Sequence, residues 1–252
     1  MTVLEPSEKN AEGRVIVLGG GIGGIQCSLD LADAGFHVFL VEKAHTLGGT
    51  MAALDKTFPT NDCSTCMFSP KLAQVARHER ITIMTHSRLL DLEGEPGNFT
   101  ARIERRPRYI DEAKCIACGQ CAEKCPKKVP DPFNAELSPR KAAFLTFPQA
   151  VPLKYALDPE HCLYLTKKKC GLCKKICPRD AINFDDKDEL VKVKVGAIVL
   201  ATGFELWDHS AYGEYGGGKL VDVIDGFQFE RLASASGPTS GEIRRPSDGQ
   251  VP

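Results

Sequence analysis

Apolar residues come in short runs, cut by glycine and proline, and their spacing changes character along the chain. Arg14–Leu18 (RVIVL) is a β-branched run that ends in glycines, so it predicts a strand. Ile25–Ala34 has helical spacing closed by Gly35, and Phe36–Val41 (FHVFLV) predicts a second strand. That order predicts a βαβ unit with a parallel sheet. Pro70–Arg77 predicts a helix and Ile81–Thr85 (ITIMT) a third strand. Phe99–Arg105 (FTARIER) alternates apolar and polar positions, as a strand with one wet face does. Leu190–Thr202 (LVKVKVGAIVLAT) alternates first and is then continuously apolar, and the second half predicts a buried parallel strand. Phe99–Arg105 and Leu190–Lys194 have the pattern of two arms of one hairpin with a cysteine-rich module inserted at its tip. Beyond Phe204 the chain is rich in Gly and Ser, with one helical candidate at Phe227–Ala233.

The module between the arms differs in composition. It holds eight of the 11 Cys of the 252-residue chain, and seven prolines between Pro126 and Pro159 leave little room for long helices. From Arg102 to Asp180 there are 17 basic and nine acidic residues, against a net charge of −1 for the whole chain. This asymmetry hints at a cationic docking face, but lysines that simply solvate a small cysteine-rich module are the stronger reading. The whole-chain balance argues against a generic nucleic-acid binder. No apolar stretch approaches the roughly 18 residues of a membrane span. The polar start MTVLEPSEKN resembles neither a signal nor a transit peptide, so the expected setting is the cytoplasm. There, clustered thiols hold metal more often than they form disulfide frameworks.

Cys115, Cys118, Cys121 and Cys125 form C-x2-C-x2-C-x3-C followed by Pro126. Cys162, Cys170, Cys173 and Cys177 end in the same C-x2-C-x3-C-P, with the first gap widened to seven residues. Three thiolates two residues apart wrap three corners of an iron–sulfur cubane, and the one before proline ligates the other cluster. Two [4Fe-4S] clusters are therefore expected, one on Cys115, Cys118, Cys121 and Cys177, the other on Cys162, Cys170, Cys173 and Cys125. Zinc is the competing reading, but structural zinc sites take cysteines in pairs, and the third and fourth cysteines have no role in a zinc ribbon. The module resembles a two-cluster bacterial ferredoxin, which relays single electrons.

Gly19, Gly21 and Gly24 form G-x-G-x-x-G after a strand and at the start of a helix, with Glu42 following 18 residues after Gly24 at the end of the second strand. That context predicts a dinucleotide site. Gly19 permits the turn, Gly21 lets the backbone approach a pyrophosphate, and Gly24 allows close helix–strand packing. The helix N-terminus supplies amide donors to the phosphates, with Gly23 also in the glycine turn that leads into it, and Glu42 accepts from the adenosine ribose hydroxyls. FAD and NAD share this fingerprint. Glu42-Lys43-Ala-His-Thr-Leu-Gly48-Gly49 resembles the E-x(4)-L-G-G of flavoprotein disulfide reductases, and Ala201-Thr202-Gly203 resembles the A-T-G strand end of the same class, which favours FAD.

Three cysteines are left over. Cys27, on the first helix, reads as a small core residue. Cys63-Ser-Thr-Cys66, just before the helix expected near Ser69–Pro70, has three readings: a redox disulfide, two ligands of a further cluster completed by another segment or chain, or two ordinary loop thiols.

With the flavin turn, the C-S-T-C loop and a ferredoxin module placed before A-T-G, the chain resembles the A-type subunit of heterodisulfide reductase, an iron–sulfur flavoprotein. Cys63–Lys71 (CSTCMFSPK), Phe147–Tyr155 (FPQAVPLKY) and Asp158–Thr166 (DPEHCLYLT) carry the likeness. It implies an α/β fold: a Rossmann-like, thioredoxin-reductase-like FAD-binding domain (13–105, with return strands 187–205) and an inserted α+β two-cluster ferredoxin domain (106–186). Residues 206–252 form a Gly/Ser-rich tail, expected to be partly disordered. The resemblance implies an oxidoreductase subunit that passes electrons between FAD and its clusters, in an electron-bifurcating complex in some family members. The implied partners are the other subunits, hydrogenase or dehydrogenase electron donors, and ferredoxin, in anaerobes. Family members continue well past residue 252, and the late G-D segment that completes their FAD site has no counterpart here. A fragment, a split subunit completed in trans, or weakly held FAD is the corresponding expectation. Two rival functions are a self-contained flavin disulfide reductase using Cys63 and Cys66, and a non-enzymatic ferredoxin-type wiring module with a vestigial flavin site.

Overall fold

The computed structural model describes residues 13–252, so the amino-terminal decapeptide considered for targeting signals lies outside the described residues. The first elements are β1 (Arg14–Leu18), α1 (Ile22–Asp33) and β2 (His37–Val41). They are followed by α2 (Ser64–Arg77), β3 (Ile81–Met84), β4 (Ser87–Glu95) and β5 (Asn98–Arg105). The cysteine module carries α3 (Gln120–Glu123), α4 (Leu163–Lys167) and α5 (Leu172–Ile176). The chain then returns through β6 (Glu189–Val195) and β7 (Ala197–Leu200), and α6 (Gly226–Ala233) lies near the end. The chain divides into two compact units: one of the chain up to Gly49, Ser69–Lys128 and Lys141–Gly203, the other of Thr50–Phe68, Val129–Arg140 and Phe204–Pro252.

In the first unit, β7-β1-β2-β3 form a parallel sheet in that order, with the helix α1 crossing from β1 to β2 as the apolar periodicity predicts. β6, β5 and β4 form an antiparallel sheet, with Glu189 opposite Arg105 and Val195 opposite Phe99. The two arms expected from the alternating patterns therefore pair, and the cysteine module leaves from the Arg105 end. Its own ends pair at their base, where Ile110 bridges Ile182 and the Asp111 amide donates to the Ala181 carbonyl at 2.8 Å. Ile16, Phe39, Val41 and Met84 from the parallel sheet pack with Ala101, Ile103, Val191, Val193 and Val195 from the antiparallel one. The Ile, Val, Phe and Met side chains among them each contribute roughly 1.5–3 kcal/mol when fully removed from water.

Four expectations change. Helix α2 begins at Ser64 rather than near Pro70, so Pro70 lies inside it and Cys66 is in its first turn. The local proline signal was overridden by burial of Phe68, Leu72 and Val75, each 1% exposed, along one helical face. β4, which no sequence pattern predicts, is mostly exposed and lacks a strong apolar alternation. β7, expected to be buried, is the edge of its sheet with Leu200 73% exposed, because β1 is its one strand neighbour. Cys27 is half-buried rather than in the core.

In the second unit, α6 starts with a reciprocal cap: the Asp225 carboxylate accepts from the Gln228 amide at 2.7 Å and the Gln228 side chain accepts from the Asp225 amide at 3.0 Å. Its Arg231 is fully buried; the guanidinium donates to the Ala53 carbonyl at 2.8 Å and to Asn134 Oδ1 at 2.8 Å, and lies 4.9 Å from the Phe133 ring centroid. No helix among the described residues is long and apolar enough to cross a membrane.

Candidate functional site: a glycine cradle and two cysteine-lined cavities

The glycine turn joins β1 to α1. Gly19 has φ +108°, and a Cβ there would stand 2.2 Å from the Ala201 carbonyl oxygen. At Gly24 a Cβ would stand 1.8 Å from the Gly19 carbonyl oxygen. These two glycines are required by the protein's own packing. Gly21 is different: the nearest atom to its Cβ position is Gly49 Cα at 4.0 Å, and nothing lies within 4 Å at Gly23 or Gly203. The space before Gly21 and Gly23 is a cradle that side chains would fill, open at the start of a helix that no side chain caps.

The loop Thr46–Gly49 closes on this turn. Gly48 bridges Gly21, its amide donates to the Gly20 carbonyl at 2.7 Å, and Gly49 sits in the left-handed region at φ +54°. The buried Glu42 carboxylate accepts from the Gly20 amide at 2.6 Å and the Ala44 amide at 2.7 Å, which ties the second strand to the turn. Lys43, Gly49, Thr202 and Gly203 are exposed. Open space at the helix start, donors aimed into it and a carboxylate fixed beside it suit a dinucleotide diphosphate and its ribose.

The cysteine module builds its two halves alike. Gly119 and Gly171, with φ +83° and +90°, precede α3 and α5. One small cavity is lined by Cys115, Cys118, Cys121 and Cys177, together with Tyr155. A second is lined by Cys125, Cys162, Cys170 and Cys173, together with Tyr164, which stacks on Phe184 at 3.9 Å. Each cavity thus gathers three cysteines of one motif and the pre-proline cysteine of the other. Among the described residues no three His, Cys, Asp or Glu side chains converge as a single metal ion requires; the quartets surround spaces instead.

Burial pushes the Cys121 thiol up to about 12 and the Cys173 thiol up to about 11, with neighbouring cysteines adding to it. Such thiols ionise when a metal takes the proton's place, so the donor set fits a group whose iron atoms each bind a thiolate. Lys154 Nζ donates to the Cys115 carbonyl at 2.6 Å and Lys141 Nζ to the Cys125 carbonyl at 2.7 Å. These two lysines, undetected in the sequence because the contact is tertiary, fix the backbone of one cysteine in each quartet.

Cys63 and Cys66, in the second unit, are joined by a disulfide with a Cα–Cα distance of 5.3 Å. The Cys66 amide donates to Cys63 Sγ at 3.3 Å.

A further cavity of about 680 Å³ in the first unit is lined by both signs of charge, among them Arg108, Asp111, Lys174 and Asp180. Arg108 is buried, donating to the His45 carbonyl at 2.6 Å and pairing with Glu112 at 2.8 Å. His86, on the same cavity, is pushed down to about 4 by burial and by the Arg106 and Arg108 guanidinium groups.

The fold and these sites define a class: an FAD-dependent oxidoreductase domain carrying a 4Fe-4S domain. The family description "FAD dependent oxidoreductase" matches residues 14–101 and "4Fe-4S binding domain" matches residues 108–131, which hold the first cysteine motif. The chain is a relative of the A-type subunits of heterodisulfide reductases. It is 43% identical over 99% of its length to the A-type subunit of the H(2):CoB-CoM heterodisulfide,ferredoxin reductase of Methanothermobacter marburgensis. It is 49% identical over 99% of its length to one of the A-type iron–sulfur subunits of the CoB–CoM heterodisulfide reductase of Methanopyrus kandleri. A third relative, the A-type subunit of the ferredoxin:CoB-CoM heterodisulfide reductase of Methanosarcina mazei, is 40% identical over 99% of this chain. The chain spans 37%, 37% and 31% of the lengths of these relatives. Among solved structures, L-proline dehydrogenase from P. horikoshii is 24% identical, with TM-score 0.32 over 36% of this chain and 19% of that one, a likeness that carries no argument.

Proposed function

We propose that the chain is an electron-transfer flavoprotein unit that passes electrons between FAD and two [4Fe-4S] clusters within a heterodisulfide reductase-like complex. The observation that carries this reading is the gathering of all eight motif cysteines into two quartets, each crossed between motifs as two cubanes demand. FAD, when bound, exchanges an electron pair on one side and single electrons on the other, which is what links a two-electron donor to one-electron clusters.

The chain's own residues bind and orient. Gly21 and Gly23 leave room for the diphosphate, the start of α1 presents amides to it, and Glu42 holds the turn while accepting from the ribose. Lys43, Gly48, Gly49, Thr202 and Gly203 complete the flavin side. Cys115, Cys118, Cys121 and Cys177 ligate one cluster, and Cys162, Cys170, Cys173 and Cys125 the other. The proposed partners are the complex's other subunits, a hydrogenase or dehydrogenase as electron donor, and ferredoxin. The setting is the cytoplasm, whose reducing poise keeps eight thiols available as ligands. Anaerobic isolation should give about eight irons and eight acid-labile sulfides per chain with a bound flavin; zinc in their place, or colourless protein, sinks the reading.

One observation favours a second role for the remaining pair. The Cys63–Cys66 disulfide fits a dithiol–disulfide couple, which takes up two electrons and two protons to give two thiols. Thiol-dependent turnover that persists after removal of the clusters would support a self-contained disulfide reductase instead of the electron relay.

A further inference from the structure

The two cysteine quartets differ at their exposed edges. In the first, the exposed cysteine is Cys118, beside Ile116, which is 59% exposed. The lysine nearest to it in sequence, Lys114, pairs with Asp111 at 3.7 Å, and the cation lining that quartet's cavity is the single Arg179. In the second, the exposed cysteine is Cys170, and it sits within Lys167-Lys168-Lys169-Cys170-Gly-Leu-Cys-Lys174-Lys175. All five lysines are exposed, and none has an ion-pair partner among the described residues. Lys174 shares a cavity with Asp180 and Asp186, so the uncompensated charge is concentrated on Lys167–Lys169 and Lys175. Leu172 offers an exposed apolar contact amid these cations. Lys168 Nζ lies 5.5 Å from the centroid of Tyr164, whose ring lines the same cavity as Cys170, so the charged face adjoins the redox site directly.

A cluster of exposed like charges left unpaired costs self-repulsion, and it attracts an opposite charge. Electrons pass between proteins where a redox group approaches the contact surface, and complementary charge raises the rate of encounter. We propose that the Lys167–Lys175 face is the docking surface for a small acidic one-electron carrier protein, and that electrons cross at the Cys125/Cys162/Cys170/Cys173 site. This rests on the two-cluster reading above. In each encounter one electron moves between cluster and carrier; one is oxidised and the other reduced, no bond changes and no proton is required.

The test uses the full chain with clusters in place, counted first by iron content and the EPR of the reduced protein. Stopped-flow mixing with an acidic bacterial two-cluster ferredoxin gives a second-order rate constant as a function of salt. The triple variant Lys167→Glu/Lys168→Glu/Lys169→Glu is expected to lower that constant by about tenfold or more at low salt and to flatten its salt dependence. The charge-neutral Lys→Gln triple, less demanding of the fold, should fall between, and Lys114→Glu, beside the first quartet, should stay within about twofold of the parent chain. Full iron content with rates indifferent to the three lysines, or equally sensitive to Lys114, overturns the docking surface and leaves the clusters standing. A chain that holds no iron overturns both, and the iron count tells the two failures apart.

Discussion

Three glycines of one turn should respond to the same substitution in three different ways. In Gly24→Ala the new methyl would stand 1.8 Å from the Gly19 carbonyl oxygen, where carbon and oxygen ordinarily stay about 3.3 Å apart. The opposing atom is backbone, so α1 must shift away from β1 by more than an ångström. Overpacking of this kind costs about 1–3 kcal/mol, against roughly 0.5–1 kcal/mol that alanine gains over glycine inside a helix. At Gly23, also inside α1 but with nothing within 4 Å, the helical gain stands alone, so Gly23→Ala should stabilise the flavin-free chain by roughly 0.5–1 kcal/mol. Gly21→Ala meets ordinary contact at 4.0 Å, so its stability should change by less than about 1 kcal/mol, through the weaker helix-capping of alanine. The methyl at Gly21 nevertheless occupies the proposed diphosphate space, so FAD affinity should drop by about tenfold or more, at 1.4 kcal/mol per tenfold. Urea unfolding of the flavin-free chain and fluorescence titration with FAD separate the two effects. The reasoning fails if Gly21→Ala unfolds as easily as Gly24→Ala, if Gly24→Ala is neutral, or if Gly21→Ala binds FAD like the parent chain.

Arg231→Met removes a fully buried guanidinium and leaves the Ala53 carbonyl and Asn134 Oδ1 without that donor. It should destabilise the second unit by about 2–4 kcal/mol, seen as faster amide exchange around Ala53, Asn134 and α6; unchanged exchange would refute the assignment. Because the folded pKa of His86 lies near 4, below its ordinary value of about 6.5, the unfolded chain binds the proton first as pH falls. Stability attributable to this ring is therefore intact above pH 6.5 and declines towards pH 4, by at most about 3 kcal/mol and less once solvent screening of a half-buried group is included. His86→Gln should lose less stability than the parent between pH 7 and 5, and parallel losses would contradict this. For the Cys63–Cys66 disulfide, alkylation followed by intact-mass measurement should label two additional cysteines after mild reduction, and Cys63→Ser/Cys66→Ser should abolish that difference without lowering the iron count. A drop in iron would instead mark the pair as cluster ligands.

The chemistry-bearing patterns were legible in the sequence because each is local. A strand, a glycine turn and a helix within some twenty residues form one dinucleotide cradle, and the spacing of cysteines dictates which corners of a cubane they can reach. The alternation in Phe99–Arg105 and Leu190–Lys194 also sufficed to pair two strands some ninety residues apart, since each needs a partner that buries its apolar face. Local signals misled where burial overrode them: Pro70 marks a helix start by itself, yet the face made by Phe68, Leu72 and Val75 extends α2 back to Ser64. Exposure was equally hidden, for a continuously apolar strand such as β7 reads the same at the centre of a sheet and at its edge. The spacing of the fingerprint already separated Gly19 and Gly24 from Gly21; the tertiary structure added what crowds the first two, the carbonyl oxygens of Ala201 and Gly19, and that Gly23 stands in open space. It also decided which lysines are neutralised at the cluster edges and which are not. Charge is written in the sequence, but compensation depends on which side chains meet in space.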